Sequence, residues 1–246
     1  MNGLQFMAIG LLSWIGGYAG AHAAADLKLK PGGDTVVLIH GLGRSSLTMK
    51  RLERELKKCG YQVFNLSYPS TKLPIEEICT RYLAPLLEAG LSDSTCEIHF
   101  VTHSLGGIVL RQYLADHPLP NLGRVVMLGP PNHGSEVVDC LRKCWLGRCV
   151  LGPGGCQLGT TAEDLPQRLG PVNFSLGVIA GDHSWNPWFS LLIPGKDDGK
   201  VSVASTKVEG MSDFLLSHGS HTWLMWRREN IKQSVFFLEH GHFDQP

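Results

Sequence analysis

The chain has 246 residues, its 22 Lys and Arg balanced by 22 Asp and Glu, with 43% hydrophobic and 18% charged residues, less charge than the roughly one quarter typical of soluble domains. That composition excludes a disordered chain, and the zero balance removes the positive field that nucleic acid or another polyanion would need. The length suits one α/β domain of roughly 200 to 250 residues with a sizeable core.

Leu4 to Ala25 holds no Lys, Arg, Asp or Glu, and the apolar run Phe6 to Ile15 has the length of a signal-peptide core. Ala21-His22-Ala23 fits an A-x-A cleavage site. This predicts a leader over residues 1–23, a domain over 24–246 without a membrane span, and export to the periplasm or medium. The alternative is an uncleaved anchor, because about 20 apolar residues cross a bilayer.

Asp34 to His40 is the β-branched run that a strand buried on both faces requires. Leu47 to Cys59 sets Leu52, Leu56 and Cys59 at helical spacing, and Gly60 ends that helix. A second strand is predicted at Tyr61–Leu66, a helix at Ile75–Leu87 disturbed by Pro85, and a third strand at Glu97–Thr102. Gly106–His117 reads as a helix, and Arg124–Leu128 and Phe174–Ala180 as strands. Such alternation predicts a parallel sheet with right-handed crossovers.

Between Pro130 and Pro171 the alternation stops. The segment holds Gly147, Gly152, Gly154, Gly155 and Gly159 together with Cys140, Cys144, Cys149 and Cys156. It reads as a lid-like insertion over about 131–171, its glycines permitting movement. Local disulfides among its cysteines are expected, with free thiols or a metal site as alternatives.

Thr102-His103-Ser104-Leu105-Gly106-Gly107 lies where a buried strand meets a helix. It matches the G-x-S-x-G elbow with Thr102 at the first glycine, and the plainer reading is a serine N-cap. His40-Gly41-Leu42-Gly43 follows the first strand, where glycines allow close backbone approach. A nucleophilic serine needs a base to take its proton and a carboxylate to orient that base. Carboxylates follow in Gly195-Lys196-Asp197-Asp198-Gly199-Lys200-Val201, with Asp182 a weaker candidate. Histidines follow in Ser217-His218-Gly219-Ser220-His221-Thr222.

With these loops in this order the chain resembles the α/β-hydrolase superfamily and, within it, bacterial lipase- and esterase-like serine hydrolases. Those enzymes carry the acid in a D-G-x-V segment, matched by Asp198-Gly199-Lys200-Val201, and the base in a late histidine loop, matched at His221. The resemblance runs from about Thr35 to the C-terminus and includes Gly129-Pro130-Pro131-Asn132-His133-Gly134-Ser135, similar to a post-strand loop of many such enzymes. It implies an α/β-hydrolase fold, a mostly parallel central sheet flanked by helices. It also implies a triad of Ser104, Asp198 and His221, with the Leu42 and Leu105 N–H groups as oxyanion hole and His40, Gly41 and Gly106 supporting the loops.

The implied reaction is hydrolysis of a small-molecule or lipid carboxylic ester through an acyl-enzyme, with no cofactor or metal. Acyl transfer or thioester cleavage on the same triad, and a non-catalytic binding scaffold, are the alternatives. Asp197 is expected to be a solvated turn carboxylate, and His103 to point off the site. His133, His183, His240 and His242 are expected in loops or on the surface. Trp185, Trp188, Trp223 and Trp226 are expected to fill the core, or else to line an acyl pocket. The insertion follows a strand expected to run parallel to the one before Ser104, so it should border the acyl pocket.

Overall fold

The β-branched run at the start of the domain forms strand β1 (Thr35–Ile39), all five residues buried. It is joined by β2 (Gln62–Leu66), β3 (Ile98–His103), β4 (Leu122–Leu128), β5 (Leu176–Gly181) and β6 (Asp213–Ser217). These make one sheet in the order β2-β1-β3-β4-β5-β6, and every pairing is parallel. The computed structural model describes residues 33–90 and 96–245. The leader expected over residues 1–23 lies outside them.

The main helices are α1 (Lys50–Lys58), α2 (Leu105–Asp116), α3 (Glu136–Leu141), α4 (Trp145–Cys156) and α5 (Arg228–His240). Alternate strand residues face opposite cores. Val37, Ile39, Phe100 and Met127 pack with Leu105 and Ile108 of α2. On the other face Val36, Leu38, Val101 and Val126 meet Leu52 and Leu56 of α1 and Phe237 of α5. Helices on both faces explain why the strands read as continuous apolar runs rather than alternating ones.

The helix expected over Ile75–Leu87 is interrupted. Ile75–Ile78 passes into a π segment, Cys79–Leu83, and then Ala84–Gly90. Pro85 has no N–H to place in an α-helical ladder, and just before it the Ala84 N–H reaches back five residues to the Cys79 carbonyl.

The insertion is built of helices α3 and α4, and Val137, Val138, Leu141 and Leu151 enter the same core as α2. Both of its ends are tied to α2. The buried Arg111 guanidinium donates to Asn132 Oδ1 at 3.0 Å and to the Gly170 carbonyl at 2.5 Å. The expected disulfides are absent, for Cys140, Cys144, Cys149 and Cys156 all carry free thiols. Helix formation separates them, and Cys144 caps α4 by accepting the Gly147 N–H at 3.3 Å. Gly152 takes a left-handed φ of 65°, and a Cβ there would stand 1.9 Å from the Thr71 carbonyl oxygen, so this glycine lets α4 touch the Thr71 backbone. Among the described residues no group of three or more His, Cys, Asp or Glu could hold a metal ion, and no helix is long and apolar enough to cross a membrane.

Candidate active site

At the end of β3 the chain turns into α2 through Ser104, whose φ of 53° and ψ of −123° are unique among the described non-glycine residues in having a positive φ. Such a conformation costs about 1–3 kcal/mol and persists only when its surroundings over-determine it. Here the Ser104 N–H donates to the Leu128 carbonyl at 2.9 Å, and the Ser104 carbonyl accepts from Gly107 N–H at 2.9 Å. Gly106 is required by proximity, since a Cβ there would lie 2.4 Å from the Ile39 carbonyl oxygen. Thr102 fits in place of the motif's first glycine because Gly107 faces it. A Cβ on Gly107 would come within 3.3 Å of Thr102 Oγ1.

Three of the residues proposed from sequence meet at this turn. His221 Nε2 lies 2.8 Å from Ser104 Oγ, and His221 Nδ1 lies 2.7 Å from Asp198 Oδ2. A carboxylate can only accept, so Nδ1 carries the proton and Nε2 is left to accept the Ser104 hydroxyl. The other Asp198 oxygen accepts the N–H groups of Lys200 at 3.0 Å and Val201 at 2.9 Å. The Asp198 carbonyl in turn accepts the His221 N–H at 2.9 Å. The acid and base loops are thereby locked together at backbone as well as side-chain level. All three side chains are buried.

The rival residues go elsewhere. Asp197 is buried rather than solvated, because it closes the turn by accepting Ser190 Oγ–H at 2.9 Å and Gly199 N–H at 2.7 Å. Asp182 pairs with His218 at 3.0 Å, away from Ser104. His103 points off the serine, as expected, but it is not idle. Its Nε2–H donates to the His221 carbonyl at 2.9 Å, bracing the back of the histidine loop. Burial, reinforced by the nearby His221, Lys200 and Arg44, holds its pKa well below the usual histidine value.

On the opposite side, the His40 ring stacks on Tyr68 with centroids 4.2 Å apart, and the Tyr68 hydroxyl donates to the His40 carbonyl. Burial pulls the His40 pKa down to about 4, against the raising effect of hydrogen bonds to Gly41 and Tyr68. His40 is therefore a neutral post for the loop carrying Gly41 and Leu42. Gly41 must be small, since a Cβ would meet His103 Nδ1 at 2.7 Å. Leu105 opens α2, where the first N–H groups have no partner within the helix. Leu42 and Ser104 both border a cavity of about 30 Å³.

The insertion lines much of that cavity. Val137, Val138, Leu141, Leu151 and Leu158 line it alongside Leu42, and its polar members include Ser104, Lys200 and His221. Of the four tryptophans expected to fill the core or to line an acyl pocket, only Trp226 packs against the core, and none lines the cavity beside Ser104. Trp185, Trp188 and Trp223 are exposed. Trp185, Trp223 and Trp226 edge a separate open groove of about 800 Å³ with Arg51, His183 and His218.

No family model and no curated protein matches this sequence. Solved structures do match it in three dimensions. Against the mature lipase BlEst2 of Bacillus licheniformis the TM-score is 0.65 at 18% identity, covering 86% of this chain and 93% of that one. The chain has the α/β-hydrolase fold. Phospholipase PlaB of Legionella pneumophila gives a TM-score of 0.59 at 20% identity over 77% of this chain, which spans only 53% of PlaB. The metagenomic carboxyl esterase MGS0156 gives 0.58 at 18% identity, covering 82% of this chain and 68% of that one.

Proposed function

We propose that the chain is a serine hydrolase that cleaves carboxylic esters through an acyl-enzyme. The observation behind this is the unbroken relay from a strained, positive-φ Ser104 through His221 to Asp198, at 2.8 and 2.7 Å. His221 Nε2 takes the Ser104 proton as Oγ bonds to the ester carbonyl carbon, and the carbonyl electron pair moves onto oxygen. The Leu42 and Leu105 N–H groups receive that oxyanion, a contribution of about 3–4 kcal/mol per donor in comparable sites. Collapse breaks the bond to the alcohol, which leaves with the proton held by His221. Water then repeats the sequence on the acyl-enzyme and releases the acid.

The narrow apolar cavity beside Ser104 favours short acyl chains. Fluorophosphonate labelling tests the nucleophile, and a p-nitrophenyl ester series from acetyl to palmitoyl tests the pocket. Wild type should be labelled and should turn over the short members best. Ser104→Ala should do neither, and labelled Ser104→Ala protein or activity above a few per cent would move the nucleophile elsewhere. The leader over residues 1–23 makes the enzyme an exported one in this reading, which N-terminal sequencing of the mature protein tests.

A further inference from the structure

The residue before the nucleophile is itself an imidazole, and it takes no proton in the reaction. His103 ends the interior strand β3, paired there with Leu128 of β4, and it is buried. Its ring lies between two loops. On one edge Nε2 stands 2.9 Å from the His221 carbonyl oxygen. A carbonyl can only accept, so Nε2 carries the proton and Nδ1 is bare. On the other edge Nδ1 faces Gly41, where a Cβ would come within 2.7 Å of it, and among the described residues it has no hydrogen-bond partner. The ring centre lies 5.0 Å from that of His221.

The base needs an anchor of this kind. Ser104 stands at the end of β3, whereas His221 follows β6 at the edge of the sheet, so its loop must cross the ends of β4 and β5 to reach the serine. The His221 N–H is tied to the Asp198 carbonyl, on a loop that itself follows β5. His103 ties the His221 main chain directly to the strand that carries the nucleophile.

Resting on the serine-hydrolase reading, we infer that His103 is a positioning residue, whose Nε2–H, by holding the His221 carbonyl, fixes the separation of Ser104 Oγ and His221 Nε2 from the nucleophile's own strand. A misplacement of about 1 Å between reacting groups can cost about 10²-fold in rate. A neutral donor suits the place. Burial, and then the charge of His221, hold the His103 pKa well below the usual histidine value, so the ring adds no charge opposing the imidazolium that forms on His221.

The test compares His103→Gln, His103→Asn and His103→Phe with wild type on p-nitrophenyl butyrate. A Gln amide nitrogen reaches the position of Nε2, an Asn amide stops near that of Nδ1, and Phe keeps a ring without a donor. His103→Phe and His103→Asn should each lose at least tenfold in kcat with KM within threefold of wild type, because His221 serves acylation and deacylation alike. His103→Gln should keep at least a third of wild-type kcat. Circular dichroism and melting temperature report which variants fold, and the Gln and Asn pair decides the matter if His103→Phe does not. A loss under tenfold in either folded donor-deficient variant, a loss carried by KM, or a folded His103→Gln below a third of wild-type kcat overturns the inference and leaves the hydrolase reading standing. Wild type that neither turns over the ester nor takes a fluorophosphonate label on Ser104 overturns both.

Discussion

Two aspartate–histidine pairs sit at the same end of the sheet. Asp198 holds His221 at 2.7 Å, with side chains 0% and 4% exposed, whereas Asp182 holds His218 at 3.0 Å with side chains 17% and 76% exposed. Each joins a carboxylate placed after β5 to an imidazole placed after β6. They differ in what stands beyond the imidazole. His221 faces a strained serine and a narrow, largely apolar cavity, while His218 faces the wider groove edged by tryptophans and the ring of His183. An acid–histidine pair is thus common surface chemistry, and under the proposed reaction it is the serine beyond the imidazole that would set one of them apart for proton transfer.

The largest effects should come from breaking the buried relay at its reactive end. Ser104→Ala and His221→Ala should each reduce kcat by about 10⁶-fold, because members of such a relay act as a unit. Asp198→Asn should cost about 10⁴-fold by presenting the wrong histidine tautomer to the serine. Steady-state assays on p-nitrophenyl butyrate with burst titration of active sites check this. An Asp198→Asn loss below tenfold would make His221 independent of its partner.

Acid should separate the two surroundings next. Two histidines close to Ser104 are buried as neutral bases: His40 is drawn down to about 4 and His103 is also lowered, in each case chiefly by burial. A histidine whose folded pKa lies below its unfolded value of about 6.5 contributes stability that is complete above pH 6.5 and is lost as pH falls toward the folded value. For His40 the gap of about 2.5 units, from 6.5 to about 4, is on the order of 3 kcal/mol. Chemical denaturation between pH 8 and 4 should show stability falling below pH 6.5. His40→Gln should flatten that decline, and an equally steep decline in the variant would assign it to other groups.

Much of this contrast is local chemistry, and so was legible from the chain. The serine at a strand end, the Asp-Gly turn and the late histidine loop each follow from nearby residues. It is Asp198 and His221, not Asp197 and His218, whose side chains the structure brings together beside Ser104. Neighbour spacing alone could not decide it, because the decision depends on which side chain reaches Ser104 across β4 and β5. The helices of the insertion were not legible for a related reason. Its glycines and cysteines have weak helix propensity, yet tertiary packing of Val137, Leu141 and Leu151 makes helices of it. Its glycines stand at close contacts, which spacing does not reveal. Gly107, whose room for Thr102 compensates the missing glycine of the elbow, had one signal available, the unexplained second glycine of Gly106-Gly107. Nothing in the spacing marked the C-terminal helix α5.

The smallest effect should come from the exposed pair. Asp182→Asn and His218→Ala should each change kcat/KM for p-nitrophenyl butyrate by less than about threefold, and stability by less than about 1 kcal/mol, the usual range for solvent-exposed ion pairs. The partner lost in each case is replaced by water at little cost, since the His218 side chain is 76% exposed. Salt offers an independent check: at 1 M NaCl the Debye length shrinks to about 3 Å, which should erase whatever difference in stability separates these variants from wild type. The relay at Ser104, bordered by the insertion, should keep its hundredfold or greater sensitivity to Asp198→Asn at the same salt. A loss above tenfold in His218→Ala would instead place the open groove in the path of the substrate, and the division between a buried working pair and an exposed idle one would have to be redrawn.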